Sequence, residues 1–378
     1  MSRPSVLFYC QHLLGIGHLS RSLAICRALA ARFDVVFLQG GPDIGRTLKA
    51  DGFEHVFLPP LLMREHDSSL YDPSGASSIE ALWSARRATI APYLERSYGA
   101  VVVELFPFGR NKFKPEILGV IAGARRANPR VRVYCSNRDI MVQKPDQARR
   151  EDSIVRILHE HFDHVLVHSD PSLIPLEATF GATDRLRSQI LYTGYIAEGA
   201  LEGHLPSTTR EPRILVSLGG GVVGAELALA CAQVSNAFPD HGMEILTGPY
   251  TAAADRDAIA EAVAQSPRAT LRGFSDDFRG ALASCTLSVS LAGYNTLMDI
   301  LATETPALVY PYTANHEQSL RAEALAAKGL VGILRREDLS EVRLTEAIAE
   351  RLASRYPTAR VDLAGAARTA EIIAEHIP

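Results

Sequence analysis

Short β-branched runs separated by longer stretches of helical periodicity constrain this chain more than any other feature. They begin at Ser5–Cys10, Asp34–Gln39, Ala100–Glu104, Val131–Cys135, His164–His168 and Gln189–Thr193. A second series follows at Arg213–Leu218, Glu244–Thr247, Thr270–Arg272, Thr286–Leu291, Ala307–Tyr310 and Leu330–Leu334. Strands that alternate with helices pair in parallel, because the chain needs a crossover helix to bring the next strand back in the same direction. Between the series, EGALEGHLPSTTREP from Glu198 to Pro212 breaks both periods with Gly, Pro, Ser and Thr, which marks an interdomain linker. The expected fold is α/β, two doubly wound Rossmann-like domains (1–200 and 201–378) facing a central cleft. A length of 378 residues suits two cores better than one.

Composition narrows the partners. With 47% apolar and 22% charged residues the chain is an ordinary globular protein, and a net charge of −4 argues against nucleic acid. The charge is uneven: residues 105–150 carry eleven basic residues against three acidic ones. Solvated helix faces explain such a run, and so does a surface for anionic lipid or an anionic substrate. The five cysteines include no CxxC pair and sit mostly in apolar runs, as small core residues in a reducing compartment do. No segment approaches the ~18 uninterrupted apolar residues of a membrane span, so the expectation is a cytoplasmic protein, at most peripheral to the inner membrane.

Chemistry concentrates where strands run into glycines. Strand Ser5–Cys10 leads to Gly15-Ile16-Gly17-His18-Leu19-Ser20-Arg21, and Leu19, Leu23, Cys26 and Ala30 recur at helical spacing, so His18 falls at a helix start. The positive helix end disfavours imidazolium and leaves a neutral ring able to act as a base; a capping or packing histidine is the plainer alternative. Strand Arg213–Leu218 runs into Gly219-Gly220-Gly221-Val222-Val223-Gly224, formally GxGxxG. The next strand has its only acid, Glu244, at the wrong end for a dinucleotide's ribose, so the glycines read as a phosphate turn without NAD or FAD.

A third cluster, Gly273-Phe274-Ser275-Asp276-Asp277-Phe278, precedes strand Thr286–Leu291 and Ala292-Gly293-Tyr294-Asn295-Thr296, which opens a helix carrying Asp299. That acid suits a ribose diol or merely complements the helix dipole. After strand Ala307–Tyr310, the turn from Pro311 to Gln318 gathers polar groups fit for sugar hydroxyls or for solvent.

In order, GxGHxxR, the GGG turn, GFSDDF, AGYNTLMD and the P…HEQ loop resemble glycosyltransferase family 28. The resemblance implies the GT-B fold, with the last helix returning to the N-terminal domain. It also implies an inverting, metal-independent transfer of a sugar from a nucleoside-diphosphate sugar, a UDP-sugar first, to an unidentified hydroxyl acceptor. No cofactor is implied. His18 takes the place of a general base and Phe274 that of a segment reading the base edge. Asp299 falls on the ribose acid, while Gly219, Gly220 and Gly221 with Gly293, Tyr294, Asn295 and Thr296 face the diphosphate. Glu317 and Gln318 fall on the donor-sugar loop.

Departures are equally specific. Asp299 replaces the usual Glu, Val222 and Val223 replace a Ser and a Gln, and Glu198 stands where a basic residue is usual. The acceptor is expected at Gly17, Arg21, Glu104, Arg110 and Arg138, with Phe106 and Phe108 either beside it or buried, and a peripheral membrane contact through 105–150.

The acidic pair Asp276 and Asp277 and the run His159-Glu160-His161-Phe162-Asp163-His164 both suggest metal ligands. The first matches a non-metal segment of the family. In the second, His159 and His161 lie two apart and leave a helix on different faces, so no metal is expected. The competing functions are a UDP-sugar hydrolase that uses His18 to activate water, an epimerase on the same fold, and a non-catalytic sugar-nucleotide-binding protein.

Overall fold

The computed structural model describes residues 3–13, 17–42, 52–64, 67, 69–143, 145–197, 209–275, 277–313 and 316–377. Most of the linker read at Glu198–Pro212, together with Glu198 itself, Gly15, Ile16 and Asp276, lies outside them. The chain forms two compact units, Met1–Leu201 with Ala364–Pro378, and Glu202–Leu363.

In the N-terminal unit the strands are β1 (Ser5–Gln11), β2 (Asp34–Gly40), β3 (Glu54–Phe57), β6 (Ala100–Glu104), β7 (Arg132–Arg138), β8 (His164–His168) and β9 (Ile190–Tyr192), with a small antiparallel pair, β4 (Leu62–Met63) and β5 (Leu70–Tyr71). The parallel sheet runs β3-β2-β1-β6-β7-β8-β9. Its inner strands are buried on both faces, hence their continuous apolar runs. β3 escapes the sequence because EHVF buries only Val56, as an edge strand's residues do.

Helix α1 (Gly17–Ala30) buries Leu19, Leu23 and Cys26 against one face of the sheet. The last helix, α11 (Gly365–His376), joins the same core through Ala366, Ala370 and Ile373. The opposite face is covered by α2 (Ile79–Ile90), α3 (Lys114–Ala127) and α4 (Gln147–His161). α4 ends at His161 and β8 begins at His164, so the histidine run is a helix end followed by a strand.

The C-terminal unit repeats the plan with β10 (Glu211–Ser217), β11 (Gly242–Leu246), β12 (Ala269–Arg272), β13 (Cys285–Leu291), β14 (Ala307–Tyr310) and β15 (Gly332–Ile333), in the order β12-β11-β10-β13-β14-β15 and all parallel. Its helices are α5 (Ala225–Val234), α6 (Ala253–Ala264), α7 (Phe278–Ser284), α8 (Tyr294–Thr303), α9 (His316–Ala327) and α10 (Glu341–Ala353).

Each sheet reverses its winding once, between β1 and β6 in the first unit and between β10 and β13 in the second. At such a switch point the connections leave to opposite faces and open a crevice at the carboxyl ends of the strands, where open α/β sheets bind ligands. Gly17, the Gly219–Gly221 turn and Gly293 follow β1, β10 and β13, which flank these two switch points, while Gly273 follows edge strand β12. No helix among the described residues is long and apolar enough to cross a membrane.

Candidate functional site

At the first switch point the chain leaves β1 for α1 and leaves β6 at Glu104. Gly17 opens α1 and His18 is its second residue. His18 Nδ1 lies 2.6 Å from Glu104 Oε1, and Arg21 Nη2, one turn further along the helix, donates to the same oxygen at 2.6 Å. Arg21 Nη2 also lies 3.2 Å from His18 Nδ1. The shorter contact sets the tautomer: Nδ1–H donates to the carboxylate, and the lone pair sits on Nε2, which makes no hydrogen bond among the described residues.

Burial drives the imidazole's affinity for a proton down to about 4; the Glu104 carboxylate offsets only part of that, and Arg21 and Arg110 add to it. Burial by itself would raise Glu104, yet His18, Arg21 and Arg110 together bring it to about 2. At neutral pH the site therefore holds a carboxylate, a guanidinium and an uncharged imidazole. The sequence reading ascribed the neutral ring to the helix end; burial is the larger cause.

Arg21 and Glu104, expected as acceptor contacts, both contact His18. Their side chains are 3% and 0% exposed, so neither offers a free surface, although Glu104 Oε2 has no hydrogen-bond partner among the described residues. Arg110, in a left-handed conformation, donates its Nε to the Gln11 carbonyl at 2.5 Å. Arg138 ends β7. Phe106 and Phe108 are buried packing residues.

A second buried network braces the end of β1. Arg86, fully buried on α2, donates to Glu116 Oε1 and Oε2 at 2.7 and 2.9 Å and to Gln11 Oε1 at 2.8 Å, while the Tyr9 hydroxyl donates to Glu116 at 2.6 Å. Some of the eleven basic residues of the basic region also have partners within the chain: Arg125 donates to the His161 carbonyl, Arg150 to those of Val142 and Phe108, and Arg132, half exposed, to Asp163.

The second switch point is built largely of backbone. Gly219 and Gly221 have φ of 56° and 82°, the left-handed region that suits glycine. A Cβ on Gly221 would stand 2.8 Å from Gly248 Cα and 2.1 Å from Thr251 Oγ1. A Cβ on Gly248 would sit 2.1 Å from the Gly220 carbonyl carbon. The two loops thus touch through glycines, and Tyr250 N donates to Gly220 O at 3.0 Å. The helix after this turn starts only at Ala225, past Gly224, so the Gly219–Gly221 turn does not itself cap a helix.

Across the switch, Gly293 caps α8, and the first N–H groups of that helix, at Tyr294, Asn295 and Thr296, lack intrahelical acceptors and form a positive end beside β13. Arg321 of α9 is buried with its guanidinium 5.0 Å from the Tyr294 ring centre. Asp299, further along α8, faces Arg279 of α7, with Nη2 3.4 Å from Oδ1. Glu317 is buried at the start of α9, and Gln318 Oε1 accepts from Tyr312 N at 3.0 Å.

Phe274, two residues past β12, is half exposed, and Val222, Tyr250 and Tyr312 are also exposed on the loops after β10, β11 and β14. Four apolar side chains therefore stand out at the carboxyl edge of one sheet. The sequence reading missed Gly248, Tyr250 and Arg279. Gly248-Pro249 after β11 is a legible turn signal; nothing local marks Arg279. Among the described residues no three His, Cys, Asp or Glu side chains converge as metal ligands do.

Residues 219–375 match the glycosyltransferase family 28 C-terminal domain. The chain is similar to UDP-N-acetylglucosamine--N-acetylmuramyl-(pentapeptide) pyrophosphoryl-undecaprenol N-acetylglucosamine transferase of Rhizobium meliloti (strain 1021), 34% identical over 97 residues, 25% of this chain and 25% of that protein. The protein of that name from Sorangium cellulosum (strain So ce56) is 32% identical over 170 residues, 43% of this chain and 41% of its own. The matched stretches span less than half the length of these relatives.

Among solved structures, the glycotransferase of kitacinnamycin superposes with a TM-score of 0.65 at 15% identity, covering 100% of both chains. Acinetobacter baumannii MurG gives 0.59 at 16% identity, covering 98% of this chain and 99% of its own. The fold is GT-B.

Proposed function

We propose that this chain, whose C-terminal unit belongs to glycosyltransferase family 28, transfers a sugar from a UDP-sugar to a hydroxyl acceptor, with inversion and without a metal. The observation that carries this reading is the His18–Glu104 pair at the switch point of one unit, in a chain whose other unit carries the family's domain at its own switch point. A neutral imidazole with Nδ1 tied to a carboxylate has one task open to it, at Nε2.

In the proposed reaction Nε2 takes the proton of the acceptor hydroxyl as its oxygen attacks the anomeric carbon. The bond from that carbon to the diphosphate breaks on the opposite side, and UDP leaves with the electron pair. The proton stays on His18 as an imidazolium, which Glu104 stabilises. General-base help of this kind contributes about 10²–10⁴ in rate. Negative charge growing on the diphosphate is met by the positive end of α8 and by Gly220 N–H, since Gly221 N donates to the Leu218 carbonyl and Gly219 N to Ser217 Oγ within the turn, a role a metal would otherwise fill. Asp299 binds the ribose, Phe274 lies along the base, and Glu317 and Gln318 serve the sugar. Gly17 and Arg138 border the acceptor. Residues 105–150 make a peripheral contact with an anionic membrane face, and co-sedimentation with anionic against neutral vesicles tests that part alone.

The central test is incubation with UDP-sugars with and without hydroxyl acceptors, resolving UDP, free sugar and glycosylated product. Acceptor-dependent product of inverted configuration, formed in the presence of a chelator, is the expected result. Free sugar and UDP released at the same rate without acceptor identifies a hydrolase and removes the transferase reading.

A further inference from the structure

Arg279 belongs to no motif, yet it pairs with Asp299, the acid expected at the ribose. It sits on α7, the short helix that carries the chain from β12 back to β13, and its Nη2 lies 3.4 Å from Asp299 Oδ1, with 12% and 17% of the two side chains exposed. That distance is an ion pair without a hydrogen bond: both Nε and Nη2 of Arg279 are buried and have no hydrogen-bond partner among the described residues. Burying charged donors without acceptors is unfavourable, because the lost hydration is not replaced. A position that keeps them so is one that a ligand's oxygen completes.

A carboxylate can only accept hydrogen bonds and a guanidinium can only donate them, whereas a ribose hydroxyl does both. We propose that Arg279 is a specificity-determining residue of the nucleotide site: Asp299 accepts from one ribose hydroxyl while Arg279 donates to the oxygen of its neighbour. This deepens the UDP-sugar reading and rests on it.

The pair also answers two problems that Asp299 alone would pose. The carboxylate is shorter than the Glu usual at this position, and the guanidinium supplies a second contact. An uncompensated acid near an anionic diphosphate would repel it, and Arg279 cancels that charge. A nucleotide lacking one hydroxyl then leaves a buried guanidinium N–H without its acceptor, so the site rejects 2′-deoxynucleotides.

The test is titration calorimetry with UDP and 2′-deoxy-UDP on the full chain and on Arg279→Met, which keeps the volume, and Arg279→Lys, which keeps the charge without the planar fork. The wild-type chain is expected to prefer UDP by about tenfold or more, from one unpaired buried donor. Arg279→Met should bind UDP at least about tenfold more weakly and lose the preference; Arg279→Lys should recover affinity but not preference. Thermal unfolding of each variant reports the fold, and a variant that unfolds is replaced by Arg279→Gln. A wild-type chain that binds both nucleotides equally, or a variant that keeps the wild-type ratio, overturns the inference. A wild-type chain that binds neither overturns the UDP-sugar reading itself.

Discussion

The two units place their loops at the same topological address and fill it with different materials. At the switch point of the N-terminal unit stand ionisable side chains withdrawn from water: His18, Arg21 and Glu104 within 3.2 Å of one another. At that of the C-terminal unit stand backbone N–H groups and glycines in close contact, ringed by exposed Val222, Tyr250, Phe274 and Tyr312. A group that moves a proton needs its charge state fixed in advance, which burial and a paired carboxylate accomplish. A group that holds a polyanion and a base needs many moderate donors and an open apolar surface, which a glycine turn and a helix end provide. On the proposed function, the contrast means that one architecture separates the chemical step from recognition by choosing side chains for one and main chain for the other.

The largest effect expected to test this division is on rate. Replacing His18 with Ala should lower kcat by about 10²–10⁴ while UDP affinity, read by calorimetry, stays within about twofold. An equal loss in both quantities would show that His18 serves binding and would erase the distinction.

Glu104→Ala comes next, because it takes the buried carboxylate away from both Arg21 and His18. A loss of about 3–5 kcal/mol in urea denaturation is expected, with the rate falling as well. Glu116→Ala, which takes the carboxylate from Arg86 while Gln11 and the Pro59 carbonyl still accept from it, should cost somewhat less in stability; a marked loss there of catalysis at temperatures where the variant is folded would mean that the brace on β1 reaches the chemistry.

Gly221→Ala tests the other unit. Its φ of 82° and the 2.8 Å approach to Gly248 make the new methyl group both strained and crowded, so about 1–3 kcal/mol of stability should be lost together with UDP affinity. Should kcat fall while UDP binding is kept, the glycine turn is not the phosphate site.

The smallest effect is on the pH profile. An exposed histidine base would give an inflection near 6.5, whereas His18 is lowered to about 4, so kcat/KM should stay level down through pH 5 and fall only as the ring protonates near 4. The sign for stability follows from the same shift. The folded state holds His18 neutral where the unfolded chain takes up a proton, so its contribution is full above 6.5 and is lost as pH falls toward 4. Glu104 adds stability above its unfolded value near 4.5 that is lost as pH falls toward 2. An inflection at 6.5 in the rate would mean that the ring is solvated in the working enzyme.

Much of this was legible in the chain. Ala100–Glu104, His164–His168 and Ala307–Tyr310 agree with the structure to the residue, since a strand buried on both faces is apolar through its middle, and polar residues such as Glu104, His164 and His168 stand at its ends. Edge strand Glu54–Phe57 was not legible because solvent on its flank permits any residue. His18 was identifiable from glycines followed by a helix start, a local matter. Its partnership with Glu104 was not, because 86 residues separate them and only the pairing of β1 with β6 brings their ends together.

The sequence by itself determined two doubly wound sheets, the turns that end their strands and a histidine at the start of a helix, because backbone periodicity and turn chemistry act over a few residues. Tertiary structure alone decided the charge states and partners: Glu104 for His18, Arg279 for Asp299, Gly248 for Gly221. Desolvation and Coulomb terms depend on distances through space, and those are set by the order of strands in each sheet, which no local stretch of the chain encodes.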